Sequence, residues 1–212
     1  KKGYIQEYDM SVRGGDRVPW YFAVNLADQQ GNIDPQGAVN MSMRGNFRFE
    51  PLNNVTIRMS NMFSRRDITF IADGNNAEGL LLNVIRWERD YTNNEDQNTL
   101  DMQMRQQIDH FITGLNITWQ PTTSLSQRLN VGLDYVTNDY TEERPWGFFY
   151  VRDGARENDL ALDRNITVDY AGNYTRDLPD FLGGLASTTS WGAQYYDEFS
   201  WGINGFGEQF AG

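Results

Sequence analysis

Residues 39–49 read Val39-Asn40-Met41-Ser42-Met43-Arg44-Gly45-Asn46-Phe47-Arg48-Phe49. Apolar or small side chains occupy every odd position, and polar side chains occupy every even one. Successive side chains of a β-strand point to opposite faces, so this pattern predicts a strand with one apolar face and one polar face. The polar face holds two arginines and two amides, which is more polar surface than the core of a soluble protein accepts.

The same alternation returns along the chain and predicts about seven strands. They are placed at residues 18–27, 37–50, 55–65, 109–120, 127–141 and 160–176, with a last strand that begins near Leu185. The residues after Glu198 are not assigned to a strand. Residues 66–107 lack sustained alternation, and the apolar run from Leu80 to Trp87 predicts either a short helix or a turn packed on the edge of the sheet.

The connections between these strands differ in length in a regular way. Short turns near Pro51, Pro121 and Pro179 alternate with longer connections. Because antiparallel neighbours are joined alternately at opposite ends of a sheet, the short turns share one rim and the longer loops share the other. This polarity predicts an all-β fold of antiparallel up-and-down strands that forms part of a large transmembrane β-barrel, with short periplasmic turns and long extracellular loops.

Composition is consistent with such a barrel and excludes several other classes. The 212 residues have a formal net charge of -11 and contain no cysteine, so nucleic acid is not an expected partner and disulfides and thiolate metal sites are ruled out. The mean hydropathy is -0.64, and no run of about 20 apolar residues predicts a transmembrane helix. A barrel strand crosses a bilayer with about 9–11 residues, half of them polar, so its average hydropathy stays low.

Three stretches resemble a known family. The hairpin segment from Met43 to Pro51, with the strand that begins at Val55, resembles a barrel hairpin of TonB-dependent outer-membrane receptors. Residues 75–84, which read Asn-Asn-Ala-Glu-Gly-Leu-Leu-Leu-Asn-Val, are similar to a loop of the SusC/RagA-like branch. The turn at residues 183–184 and the strand at residues 191–194 fit the same family.

This resemblance implies a function and a location. The resemblance implies a barrel of about 22 strands that encloses an N-terminal plug domain. Members of the family import oligosaccharides or peptides across the bacterial outer membrane, with a SusD-like surface lipoprotein as a lid and with TonB as the periplasmic partner. The expected partners are therefore the lipid bilayer, the lipoprotein, TonB and a glycan or peptide ligand.

The domain organisation predicted for this chain is a single piece. Residues 1–212 are interpreted as a segment of one β-barrel domain, because no plug domain and no barrel-closing C-terminal strand are recognised in the sequence. About seven strands are too few to close a barrel of the family's size. We therefore expect an internal fragment of a longer receptor.

Two groups of candidate site residues follow from the predicted barrel. Arg44, Arg48 and Arg58 are expected to line the lumen on neighbouring strands, where they hold a plug by charged hydrogen bonds, tune what passes or solvate the lumen. Aromatic residues in the longer loops are candidate ligand contacts, because exposed rings stack on sugars and on peptide side chains. They are Trp87, Trp146, Phe148 and Tyr150. The alternative for these four is packing between loops or against a partner lipoprotein.

Neither a cofactor nor catalysis is predicted. Residues 73–78 group oxygen ligands that suit calcium, but their spacing does not match the twelve-residue calcium loop. Residues 94–96 with Asp101 form a second acidic cluster, and a solvated outer loop is the alternative for both. His110, the only histidine, is interpreted as a polar strand residue. The competing functions are a non-catalytic soluble sandwich or solenoid, or a subunit of an extracellular assembly, and a glycan-acting enzyme. The enzyme would require a carboxylate pair at a fixed separation, and none stands out.

Overall fold

The computed structural model describes residues 2–72, 78–80, 100–148, 151–178 and 184–209. The chain forms eight strands in these ranges. They are β1 (Tyr4–Gly14), β2 (Trp20–Gln30), β3 (Gly37–Leu52), β4 (Val55–Phe70), β5 (Gln103–Trp119), β6 (Leu125–Arg144), β7 (Ala155–Leu178) and β8 (Leu185–Glu208).

All eight strands belong to one antiparallel sheet in the order of the sequence. Each strand pairs with the strand before it and the strand after it, so β1 and β8 have a partner on one side only within the described residues. The predicted all-β, up-and-down architecture is confirmed, and the predicted number of about seven strands is corrected to eight.

The corrections concern β1 and the strand ends. In β1, Tyr8, Met10 and Val12 alternate with polar neighbours, and this strand pairs with β2 along its full length. Strand β8 continues through the unassigned residues after Glu198 and ends at Glu208. Strands β5 and β7 begin six and five residues before their predicted starts, at Gln103 and Ala155.

The connections sort onto two rims, as the sequence predicts. Residues 15–19, 53–54, 120–124 and 179–184 join strands at one end of the sheet, which we name the short-turn rim. Residues 31–36, 71–102 and 145–154 join them at the other end, the long-loop rim. Leu80 is helical, but the rest of the predicted helix or turn at residues 80–87 lies outside the described residues. Among the described residues there is no helix with the length and hydropathy that a membrane-crossing helix needs.

One face of the sheet, the apolar face, is mainly apolar, and two of its rows contain apolar side chains on nearly every strand. Directly paired residues in the sheet lie on the same face. One such row contains Trp20, Phe47, Met59, Leu115, Val131, Val168 and Tyr195. Another contains Phe49, Ile57, Ile117, Leu129 and Tyr170.

Within the described residues, no second layer covers the apolar face. Phe47 is 48% exposed and Val39 is 42% exposed, although both belong to the most regular strand of the sheet. All the strands of the described ranges lie in a single sheet. In a soluble sandwich these side chains would pack against an opposing sheet about 10 Å away, so the arrangement contradicts the sandwich alternative.

The apolar face ends before the long-loop rim. There Arg65 of β4 donates two hydrogen bonds of 2.7 Å to the carboxylate of Asp109 on β5, and Asp67 pairs with Gln107 in the next row on the same face. Two polar pairs interrupt the apolar face itself: Thr113 donates to Asn61 Oδ1 at 2.7 Å, and Arg164 of β7 donates to Asp197 Oδ2 of β8 at 3.0 Å. The apolar residues therefore form a band bordered by polar residues on the long-loop side.

Close packing is concentrated at the long-loop rim. Ala72, Met102 and Phe148 form a buried cluster with Met104 against it. These residues come from both ends of the long connection and from the connection between β6 and β7. The rim loops thus build the small core of the described structure, whereas the sheet itself has little buried volume.

Candidate functional site

The second face of the sheet, the polar face, is where the structure brings the predicted arginines together. Arg48 of β3 pairs directly with Arg58 of β4, and Arg44 pairs with Met62 on the same face. The two-residue connection between β3 and β4 fixes this register. All three arginines therefore lie on one side of the sheet, opposite the apolar face.

A row of hydrogen-bonding side chains continues from these arginines across the sheet. Arg48 is held by Glu50 through a hydrogen bond of 2.8 Å from Nε. Arg58 donates to Asn116 Oδ1 at 3.5 Å, and Asn116 donates to Asn130 Oδ1 at 2.5 Å. This row presents donors and acceptors to whatever faces the sheet, and it places two arginines side by side without a carboxylate between them.

Charge is segregated along the polar face, which the sequence analysis did not detect. Near the short-turn rim the cationic residues are Arg13, Arg48, Arg58 and Arg128, and the acidic ones are Glu50, Asp169 and Asp177. Closer to the long-loop rim the cationic residues are Arg66 and Arg144, and the more numerous carboxylates are Glu7, Asp9, Asp134, Glu142, Glu157, Asp159, Asp163, Glu198 and Glu208. Only the cross-strand register reveals this, because the residues are distant in sequence.

His110 belongs to this polar face. Its Nε2 lies 2.7 Å from Asp134 Oδ1 on the neighbouring strand. No three His, Asp or Glu side chains are grouped as a metal site requires in the part of the chain that the structure describes. Most of the acidic loop cluster at residues 73–78 and all of the cluster at residues 94–96 lie outside that part, so calcium in these loops stays a prediction.

A hollow opens on the polar face above the arginine row. It has a volume of about 270 Å³, and its wall includes Asp9, Asn25, Ser42 and Arg44. Arg44 donates to Met62 Sδ at 3.9 Å, and Asn25 donates to Asp9 Oδ1 at 2.7 Å. The hollow thus combines one guanidinium with one carboxylate on a floor of small side chains.

The predicted loop aromatics have different environments. Trp146 is 68% exposed and lines a hollow of about 230 Å³ together with Glu143, Asp153 and Arg156. It is therefore available for a ligand or partner. Trp87 and Tyr150 lie outside the described residues.

Phe148 does not have the predicted role. Its side chain is 4% exposed and packs in the buried cluster with Ala72 and Met102. A ring in this position cannot stack on a ligand. The prediction that Phe148 contacts a ligand is therefore wrong, and its ring instead packs between loops. The backbone positions it there, because Phe148 N donates to Pro145 O at 3.1 Å.

A buried ion pair fastens the same rim. Arg144, the last residue of β6, donates to Glu78 at 3.0 Å from Nε and at 2.7 Å from Nη2, and it also pairs with Glu142 at 2.7 Å. Glu78 is 8% exposed. The hydrogen bonds to Glu78 raise the pKa of the Arg144 guanidinium despite the opposing effect of burial, so the cation persists and holds the two loops together.

The fold is similar to those of outer-membrane transporters. It matches the RagAB peptide transporter with a TM-score of 0.73 and 13% identity, over 97% of this chain and 26% of that one. The same assembly in its closed-closed state, described as a peptide importer, gives a TM-score of 0.71 and 14% identity, over 96% and 26% of the two chains. The unliganded ferric citrate transporter FecA gives a TM-score of 0.55 and 10% identity, over 99% and 28%.

These matches establish the fold, and they cover a limited part of each transporter. The chain spans about a quarter of the length of the transporter structures that it matches. No protein-family model matches the sequence, and no curated protein matches it. The resemblance to TonB-dependent receptors is confirmed at the level of the fold: the eight strands are arranged like part of an outer-membrane β-barrel wall.

Proposed function

We propose that this chain is a section of the barrel wall of a TonB-dependent, SusC/RagA-like transporter that imports oligosaccharides or peptides across the bacterial outer membrane. The observation that supports the proposal is the division of one sheet into an exposed apolar face and a charged polar face. Hydrocarbon suits the first face and a water-filled passage suits the second. The similarity in fold to RagAB supports the same assignment.

In this proposal the rows of the apolar face meet lipid. A continuous row of apolar side chains from Trp20 on β2 to Tyr195 on β8 contacts the acyl chains along seven strands. The Arg65–Asp109 pair marks the level at which that face leaves the hydrocarbon. Strands of 16 to 24 residues, such as β3 and β7, exceed the roughly 9–11 residues that a crossing needs, so their outer parts extend beyond the membrane.

The polar face lines the passage. Arg44, Arg48 and Arg58 project from it as lumen residues, and they contact a plug or the passing substrate through charged hydrogen bonds. The chain has no chemical reaction of its own in this function, because its task is gated passage. Trp146, Trp87 and Tyr150 are the ligand-contact candidates at the outer rim.

The partners follow from the orientation. The long-loop rim faces outward, where a SusD-like lipoprotein delivers the glycan or peptide, and the short-turn rim faces the periplasm, where TonB acts on the complete receptor. The packed rim cluster around Met102 and Phe148 gives this outer surface a defined shape.

Single-cysteine labelling tests which face meets lipid. The chain has no cysteine, so Val131→Cys on the apolar face and Gly132→Cys on the polar face give one thiol each on adjacent residues of β6. In the complete protein in lipid vesicles, we expect the first thiol to react with a membrane-soluble maleimide and to resist a charged one. The second thiol is expected to react with the charged reagent. Equal reactivity of both thiols toward the charged reagent would remove the basis of the membrane proposal.

Uptake by cells tests the transport function. We expect a strain without the gene to lose uptake of labelled oligopeptides or oligosaccharides, and we expect a strain without TonB to lose it equally. Restoration by the intact gene in the first strain is the control. Unchanged uptake of both cargo classes in both strains would contradict the proposed function.

A further inference from the structure

The hollow on the polar face combines opposite charges that do not neutralise each other. Arg44 lies on β3 and Asp9 lies on β1, and β2 separates them. In the described part of the chain neither residue belongs to an ion pair, although both line the same hollow of about 270 Å³. Two strand spacings and an offset of two residues along the strand separate their backbones by about 12 Å, so the two charged groups approach the hollow from different strands and different rows.

The floor between the two charges is built from small side chains. Ser11 and Ala23 occupy the row of Arg44, and Asn25 and Ser42 occupy the row of Asp9. All four residues line the hollow. Larger side chains at these positions would fill the space, so the small residues keep an open groove between the guanidinium and the carboxylate.

The guanidinium of Arg44 has donors to spare. Its contact within the described residues is a weak one, the 3.9 Å approach of Nη2 to Met62 Sδ. A guanidinium presents five N–H donors in a planar fork that matches a carboxylate in two-point geometry. Arg44 therefore offers an anion-binding group that no carboxylate of the described residues occupies.

The acidic side of the hollow is arranged for a cation. Asn25 Nδ2 donates to Glu7 Oε1 at 2.9 Å and to Asp9 Oδ1 at 2.7 Å. One amide thus holds two carboxylates side by side on β1, where like charges repel each other. An ammonium group at Asp9 relieves this repulsion.

The structure assigns this hollow to the two charged ends of a short peptide: Arg44 receives the terminal carboxylate and Asp9 receives the terminal ammonium. This inference rests on the proposed function and names a cargo class and a site within the proposed passage. A peptide of two or three residues spans a separation of this order, because an extended chain advances about 3.3–3.6 Å per residue. An uncharged oligosaccharide can hydrogen-bond to both side chains but forms an ion pair with neither.

Blocked peptides test the assignment on the wild-type protein. Calorimetric titration of the complete protein in detergent would compare trialanine with N-acetyl-trialanine and with trialanine amide. We expect trialanine to bind at least about threefold more tightly than either blocked form, because each block removes one charged contact. If the wild-type protein binds all three peptides equally, or binds none, the assignment is wrong.

Variants assign each end of the peptide to its residue. Arg44→Gln is expected to remove the preference for trialanine over its amide and to keep the preference over the acetylated form. Asp9→Asn is expected to remove the preference for trialanine over the acetylated form and to keep the preference over the amide. Arg66→Gln, an arginine of the same face outside the hollow, is the matched control and should keep both preferences. Preferences that persist unchanged in Arg44→Gln and Asp9→Asn would overturn the assignment.

The outcome is separable from the test of the proposed function. If uptake depends on TonB but the wild-type protein binds trialanine and both blocked peptides with equal affinity, the transport function is supported and the peptide site is refuted. If uptake does not depend on TonB but the protein still prefers trialanine to both blocked peptides, the peptide site is supported and the transporter function is refuted.

Discussion

The indole of Trp191 lies directly over Gly172, its antiparallel partner on the neighbouring strand. A methyl group at Gly172 would overlap three atoms of that indole. Trp191 Nε1 also donates to the hydroxyl of Tyr170 at 3.4 Å. The glycine therefore provides the space that an aromatic residue of the apolar face occupies across two strands.

Gly172→Ala is expected to displace this indole and to destabilise the barrel by about 1–3 kcal/mol, the usual cost of overpacking. Gly114→Ala is the control, because a methyl group there meets no heavy atom within 4 Å. Replacing Trp191 by Leu as well is expected to recover most of the loss. Thermal unfolding in detergent measures all three changes, and equal stability of the two alanine variants would contradict the packing role.

The pair of Glu78 and Arg144 gives a second prediction. Arg144→Met removes a hydrogen-bonded partner from a carboxylate that is 8% exposed, so we expect a loss of about 3–5 kcal/mol at the rim. The double substitution Glu78→Leu with Arg144→Met is expected to be closer to the wild type, because it removes both charges together. Limited proteolysis of the rim loops would report the loosening. Cleavage of the single variant at the wild-type rate would refute this account.

Met59 and Ser60 test the two faces with the same substitution. They are adjacent on β4 and belong to the apolar and polar faces respectively. Met59→Arg is expected to make folding into phospholipid vesicles less favourable by about 2–4 kcal/mol, the cost of an arginine in the middle of the membrane. Ser60→Arg should cost far less, since its side chain faces water. A larger effect of Ser60→Arg would reverse our assignment of the faces.

Tyr140, near the long-loop rim, predicts an alkaline effect. Burial, and then the 2.8 Å hydrogen bond to Glu142, raise the pKa of the Tyr140 phenol above its ordinary value of 10.0. Folding thus favours the protonated phenol, so this stabilisation is complete below about pH 10 and is lost as the pH rises through the higher pKa of the folded state. We expect Tyr140→Phe to lose less unfolding free energy than the wild type between about pH 8 and pH 11. Tyr8→Phe, at an exposed site on β1, is the control and should follow the wild type.

The sequence predicts the fold well wherever one face is apolar and the other is polar. Residues 39–49 give β3 and its facing directly, and the short turn after Pro51 brings Arg48 and Arg58 to one face, as the structure shows. Beyond the apolar band both faces of a strand meet water, so the alternation fades. That is why the start of β5, where Gln106 and Gln107 are adjacent, was predicted six residues too late.

The rim and the charge distribution depend on contacts between distant residues. Ala72, Met102 and Phe148 share no period in the sequence, and only their packing shows that Phe148 is buried. Strand β1 did have a signal, the alternation of Tyr8, Met10 and Val12, but it extends over few residues. The hollow between Asp9 and Arg44 includes residues of β1. A sequence prediction without β1 therefore does not contain the hollow.

The two margins of the sheet determine how such a wall is assembled. Along the outer edges of β1 and β8, the described structure leaves backbone amides and carbonyls without a ladder partner. Hydrocarbon has no hydrogen-bonding groups that could replace water, so each unpaired backbone amide or carbonyl in the membrane core costs several kcal/mol. If the sheet is a section of a barrel wall, as we propose, both margins must therefore be paired with further strands wherever they lie in the hydrocarbon.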